Sequence, residues 1–134
     1  VKSFKKMLLS IVIPTYKSHK FLFQTIKELH DELVNNKFNF EIILINDSSD
    51  IQTWNTILSI SEKLSCIKAF QLYKHFGQHY ANHIGFLKAK GDFIITLDDD
   101  GQNPPDQIKI LLQKQKSCNA DLVIGVYKEK KHGF

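Results

Sequence analysis

The sequence predicts an α/β sandwich built on a mainly parallel sheet. Two observations lead there. Short apolar runs rich in β-branched residues alternate with longer segments whose apolar residues recur at helical spacing. Polar, chemically capable clusters follow the apolar runs, as they do when loops leave the carboxyl ends of parallel strands. The 134 residues are read as a single domain, 1–134, long enough to bury one core.

The elements follow in order. "LLSIVIP" (Leu8–Pro14) is the first buried strand. Leu22, Ile26, Leu29 and Leu33 then line one face of a helix, with Ser18 as the expected N-cap. "FEIILIN" (Phe40–Asn46) is the second strand, and "IQTWNTILSISEKLS" a helix with Trp54, Ile57, Leu58 and Leu64 inward. "IKAFQL" is the third strand, and "QHYANHIGFLKA" a third helix entered through Gly77. "FIITL" is the fourth strand. "PDQIKILLQKQK" is a helix with Pro105 near its first turn and Ile108, Leu111 and Leu112 on its apolar face. "DLVIGVY" (Asp121–Tyr127) is expected as a fifth strand.

Composition narrows the function classes. All 18 basic side chains are lysines. A nucleic-acid reader normally uses arginine for bidentate contacts, so a nucleic-acid partner is not expected. The lysines, clustered at Lys5–Lys6 and Lys128–Lys131, are consistent with a solvated basic surface or with attraction to an anionic membrane surface. No run approaches the roughly 18 apolar residues of a membrane span. The basic-then-apolar start ends at Pro14 without a small-residue cleavage site, so it reads as a lead-in to a strand. Cys66 and Cys118 form no CxxC and read as reduced thiols.

If the sheet is parallel, four clusters share one rim: Pro14-Thr15-Tyr16, Asn46 to Asp50, Lys74 to His79, and Asp98-Asp99-Asp100. Three adjacent carboxylates repel one another unless a cation or a donor offsets the charge. The glycine-rich phosphate loops GxGxxG and GxxxxGK[ST] are absent, and an EF-hand register centred on Gly101 lacks proper ligands at its first and twelfth positions. Carboxylates at a strand end suit Mg²⁺ or Mn²⁺ shared with substrate phosphates. His75, His79 and His83 have a spacing that invites a zinc reading, but Gly77 separates the first from the helix and there is no HExxH. Asp92 reads as a polar residue opening the fourth strand, on the rim opposite the site.

These residues carry a resemblance. "SIVIPTY", "ILINDSSD", "HFGQHYANHIGFLKAKGDFIITLDDDGQNPPD" and "DLVIGVYKEK", in this order, resemble the amino-terminal part of a family-two glycosyltransferase of GT-A fold. Within that family they are most similar to the polyprenyl-phosphate sugar transferases, dolichyl-phosphate mannose synthase and its bacterial undecaprenyl-phosphate relatives. The resemblance implies a three-layer, Rossmann-like nucleotide-binding sandwich. It implies a transferase that moves a sugar from a nucleotide-sugar donor, UDP-type, to a polyprenyl phosphate at the inner face of the cytoplasmic membrane. A glycan acceptor is the alternative within the family. An inactive nucleotide-binding module, or a structural fragment that completes its sheet with another chain or as a homo-oligomer, is the alternative outside it.

The resemblance also implies roles. Pro14, Thr15 and Tyr16 match positions around the nucleotide base, and Asp47 matches an acidic residue that accepts hydrogen bonds from it. Asp98 and Asp100 match the outer carboxylates of the DxD motif. Asp100 is the expected ligand of Mg²⁺ or Mn²⁺, Asp98 faces the ribose or the metal shell, and Asp99 and Gln102 lie close to the donor. Two departures stand out. Lys17-Ser18-His19 replaces an expected acidic residue, and Gly101 replaces a larger apolar one. The acceptor side of the family domain, with the catalytic base, is expected beyond Phe134, so the chain is read as truncated on that side.

Overall fold

The computed structural model describes residues 6–126. Eight elements alternate: β1 (Leu8–Thr15), α1 (Leu22–Asn35), β2 (Asn39–Asn46), α2 (Ile51–Lys63), β3 (Ile67–Gln71), α3 (Gln78–Lys88), β4 (Phe93–Thr96) and α4 (Gln107–Cys118). The strands form one parallel sheet in the order β3-β2-β1-β4. Val12 lies opposite Ile43 of β2 on one side and Thr96 of β4 on the other. The chain builds outward from β1 to β3, then returns to place β4 on the far side of β1. A reversal of strand order at the carboxyl ends is where open α/β sheets hold ligands.

The pleat of β1 and β2 divides the core into two layers. Leu9, Ile11 and Ile13, with Ile42 and Leu44, face α1, α2 and α4. Helix α1 buries Leu22, Ile26, Leu29 and Leu33 against them, the spacing that aligns one helical face. Each such side chain contributes about 2 kcal/mol on burial. The opposite face, with Val12, Ile43 and Ile45, is covered by α3 through Ala81 and Ile84. Gly85 permits this approach: a Cβ there would lie 2.2 Å from Val12 Cγ1. The three layers are those the sequence predicts.

The amino-terminal end of the sheet is closed by a polar network on the α3 side. Glu41, only 5% exposed, accepts from Ser10 Oγ at 2.6 Å, from the Lys90 amide at 2.8 Å, and from Lys68 Nζ. Ser10 Oγ in turn accepts from the Gly91 amide at 2.8 Å. Burial pushes the Glu41 carboxyl upward. The bonds from Lys68, Ser10 and Lys90 outweigh that push and leave it below the ordinary glutamate range. Asp92 belongs to the same end, where its carboxylate accepts from the Leu8 amide at 2.9 Å.

Four expectations need correction. Residues 121–126 form no strand: Leu122, Ile124 and Val126 are 74%, 73% and 88% exposed. Their alternation has β propensity, but a strand also needs a ladder partner, and none pairs with them among the described residues. Tyr127 lies outside the described residues. Ser18 does not cap α1 with its side chain. The helix begins four residues later, and Ser18 contributes its carbonyl to the Phe21 and Leu22 amides. Helix α4 starts at Gln107, so Pro104 and Pro105 form the turn before it rather than its first turn. In α2 the buried set is Thr53, Ile57 and Ile60, which leaves Leu58 exposed.

Candidate functional site

A cleft of about 330 Å³ opens at the carboxyl end of the sheet. Its walls are Pro14, Thr15, Tyr16, Asp47, His75, Gln78, Asp98, Asp99 and Asp100. Residues separated by more than 80 positions meet because β1 and β4 are adjacent and parallel, so both end on this rim. Of the residues expected at the site, all but Gln102 line the cleft. Gln102 lies in the next turn, where its amide donates to Asp100 Oδ1 at 3.0 Å.

Each wall is held by its strand end. Thr15 Oγ1 donates to Asn46 Oδ1 at 3.2 Å, and the Asp47 amide donates to the Thr15 carbonyl at 2.8 Å. These bonds extend the β1–β2 pairing one step past the sheet. Asp47 is almost fully buried. Its oxygens accept from the Phe76 amide at 2.7 Å and the Gly77 amide at 2.9 Å, and its Oδ2 lies 3.0 Å from His75 Nδ1. Asp47 therefore fixes the β3–α3 loop, and any contact it makes with a base must use its remaining lone pairs. Asp50, in the same cluster, is structural: it caps α2 by accepting from the Gln52 and Thr53 amides at 3.2 Å.

His75 and Gln78 are functional candidates that the sequence reading placed on the rim but not in the site. The Tyr16 and His75 rings lie 4.4 Å apart and are tilted by 34°. Tyr16 is nearly half exposed, so one wall presents an aromatic surface to the cleft. Gln78, the first residue of α3, donates from Nε2 to Asp98 Oδ1 at 2.9 Å. The "HFGQH" motif was the available signal; what it lacked was the tertiary contact that turns those two side chains inward. His75 is committed to Asp47, and His79 and His83 are exposed on α3.

The acidic side has less compensation. Asp99 Oδ2 accepts from the Tyr16 amide at 2.9 Å, tying the β1 and β4 loops together. Burial nonetheless pushes the Asp99 carboxyl above the ordinary range, against the Tyr16 bond and with the adjacent charge of Asp100 adding to the push. Among the described residues no lysine pairs with Asp98, Asp99 or Asp100. Gly101 follows with φ of 74°, a left-handed conformation that explains a glycine where a larger residue was expected.

The donor set fits a divalent cation of a particular kind. Among the described residues, no three His, Cys, Asp or Glu side chains converge to hold a metal alone. Mg²⁺ and Mn²⁺ in phosphate-handling sites need only one or two carboxylates, with water and phosphate oxygens completing the shell. Asp100 is exposed at the mouth and Asp98 beside it, in the loop where that arrangement calls for them.

The profile described as "Glycosyl transferase family 2" matches residues 10–133. The undecaprenyl-phosphate 4-deoxy-4-formamido-L-arabinose transferase of Pseudomonas fluorescens is 34% identical over 113 residues, which cover 84% of this chain and 33% of that protein. The chain thus spans about a third of the length of this relative. Among solved structures, TarS from S. aureus (residues 1–349) superposes with a TM-score of 0.65 at 26% identity, covering 86% of this chain and 34% of that one. The mannosyltransferase PcManGT from Pyrobaculum calidifontis, in complex with GDP-Man and Mn²⁺, superposes with a TM-score of 0.66 over 83% of this chain and 34% of its own. At 14% identity it shares the fold alone.

Proposed function

Because this chain belongs to glycosyl transferase family 2 and has its GT-A fold, we propose that it forms the donor-binding part of a transferase that moves a sugar from a nucleoside-diphosphate donor to a polyprenyl phosphate. The observation that carries the reading is the cleft that gathers the ends of β1, β2 and β4 and the start of α3. An aromatic surface on one side and uncompensated carboxylates on the other suit a ligand with a base at one end and a diphosphate at the other. The polyprenyl phosphate acceptor comes from likeness to the Pseudomonas fluorescens relative, as its name states. A lipid phosphate would place the reaction at a membrane face. Among the described residues no helix is long and apolar enough to cross a membrane.

The residues divide the work. Tyr16, with His75 behind it, offers a ring on which a base stacks. Asp47 holds the Phe76–Gly77 backbone, and so keeps His75 in place beneath Tyr16. Asp99 fixes the Tyr16 backbone to the acidic loop, which sets the distance between the base end and the diphosphate end. Gln78 orients Asp98. Asp98 and Asp100 would hold a Mg²⁺ or Mn²⁺, which when bound supplies positive charge to a diphosphate leaving group. A UDP-type donor is the specific form of this proposal.

Calorimetric titration of the chain with UDP and with ADP, each in the presence of Mn²⁺, tests the reading. UDP is expected to bind at least tenfold more tightly, since a wrong base leaves site groups unpaired. Equal affinities, or no binding of either, would overturn it.

A further inference from the structure

We propose that the outward face of α3, with the loop before it, is a docking surface for an anionic lipid bilayer. The face is unusual for a solvent-exposed helix. Tyr73 and Leu87 are 79% and 68% exposed, and Phe76, Tyr80 and Phe86 are each more than a third exposed. Helix α3 buries only Ala81 and Gly85 fully, so its opposite side carries Tyr80, His83 and Leu87 outward. The aromatic residues are organised. Phe76 stacks on Tyr80 at 5.0 Å and meets Tyr73 edge-on at 5.2 Å.

Charge identifies the occupant. From Ile67 to Gly91 the chain has no aspartate or glutamate, but four lysines and three histidines. Lys74 Nζ lies over both Phe76, at 5.1 Å, and Tyr73, at 5.6 Å, and Lys88 Nζ lies over Phe70 at 5.1 Å. Lys74, Lys88 and Lys90 are exposed. Of the carboxylates around this layer, Glu41 and Asp47 are buried; Asp98, exposed at the cleft, accepts from Gln78, and Asp92, exposed at the opposite end of the sheet, accepts from the Leu8 amide. Exposed rings and aliphatic chains with a basic fringe are the composition that lies in a headgroup layer, with lysines drawn to anionic lipid. Helix α1 makes the contrast. Beside its exposed Phe23 and Val34 it carries Glu28 and Asp31 with one lysine, Lys27, an acidic excess that an anionic surface would repel.

The consequence is an orientation. Gln78 belongs to both α3 and the cleft wall, so a bilayer along α3 would lie beside the cleft mouth. This inference concerns a surface and does not depend on which nucleotide the cleft prefers.

The test is co-sedimentation of the 134-residue chain with vesicles of phosphatidylcholine alone and with 30% phosphatidylserine, a composition chosen to give roughly the surface potential at which lysines bind measurably. Binding is expected only to the anionic vesicles. Lys74→Glu/Lys88→Glu should lower the partition coefficient by about tenfold or more, and Tyr80→Ser/Leu87→Ser should lower it at fixed charge. The charge-matched control Lys27→Glu/Lys109→Glu, on exposed positions of α1 and α4, should retain most binding. Trp54 fluorescence, from a half-buried side chain on the other side of the sheet, confirms that each variant is folded. Absence of binding by the folded parent chain overturns the proposal. So does an equal loss in the control pair, which would mean attraction by net charge alone. A parent chain that binds no vesicle but captures a protein would equally rule out the lipid surface.

Discussion

Glu41 and Asp99 are both carboxylates withdrawn from solvent in one parallel sheet, at opposite ends of it. Glu41 sits at the amino-terminal end with a lysine, a serine hydroxyl and a backbone amide directed at it, and its carboxyl is held below the ordinary range. Asp99 sits at the carboxyl end with the Tyr16 amide on one oxygen and two further carboxylates beside it, and burial drives its carboxyl up. The first charge is answered by the protein. The second has the Tyr16 amide against it and carboxylate neighbours instead of a cation. The difference lies in the neighbours each carboxylate meets rather than in burial alone.

That contrast can be broken at several points. Glu41→Ala should have the largest effect, because it leaves Ser10, Lys68 and the Lys90 amide without their shared acceptor. A loss of about 3 kcal/mol is expected in chemical denaturation. The same charge predicts a pH dependence. The folded value of Glu41 lies below its ordinary value of 4.5, so its contribution is complete above that value and falls away as acid takes the pH down through the folded value. The stability gap between the parent chain and Glu41→Gln should therefore narrow as the pH falls below about 4.5; a gap that widens in acid would contradict the assignment. Lys68→Met should cost less, about 1 kcal/mol, because the lysine is 39% exposed and solvent screens its charge. Asp99→Asn should cost the least. Removing an uncompensated charge offsets the weakened bond to Tyr16, so the melting temperature should change by no more than a degree or two. A clear drop in stability would place Asp99 with Glu41 rather than apart from it.

Much of this arrangement is legible in the amino-acid sequence. Leu22, Ile26, Leu29 and Leu33 announce α1, and the buried runs of β1 and β2 have no other reading in a chain of this length. The rim clusters follow from the parallel order, and seven of the eight expected donor-site and metal positions line the cleft. The remainder depends on partners that periodicity does not record. The Glu41–Lys68 pair spans 27 positions between neighbouring strands, and nothing local marks it. His75 becomes a site residue only through Asp47, and Gln78 only through Asp98. Leu122, Ile124 and Val126 show the converse: a clean alternating pattern that forms no ladder, because pattern specifies a face and not a neighbour.

The proposed donor site requires a divalent cation that the acidic loop shares with a nucleoside diphosphate. The most direct measurement is the affinity of UDP with and without Mn²⁺, by calorimetry, in the parent chain and in Asp100→Ala. Mn²⁺ is expected to raise UDP affinity at least tenfold in the parent, and the gain should vanish in Asp100→Ala while its melting temperature stays within about two degrees of the parent. UDP affinity that is indifferent to Mn²⁺ in the parent, or an undiminished Mn²⁺ effect in Asp100→Ala, would contradict it.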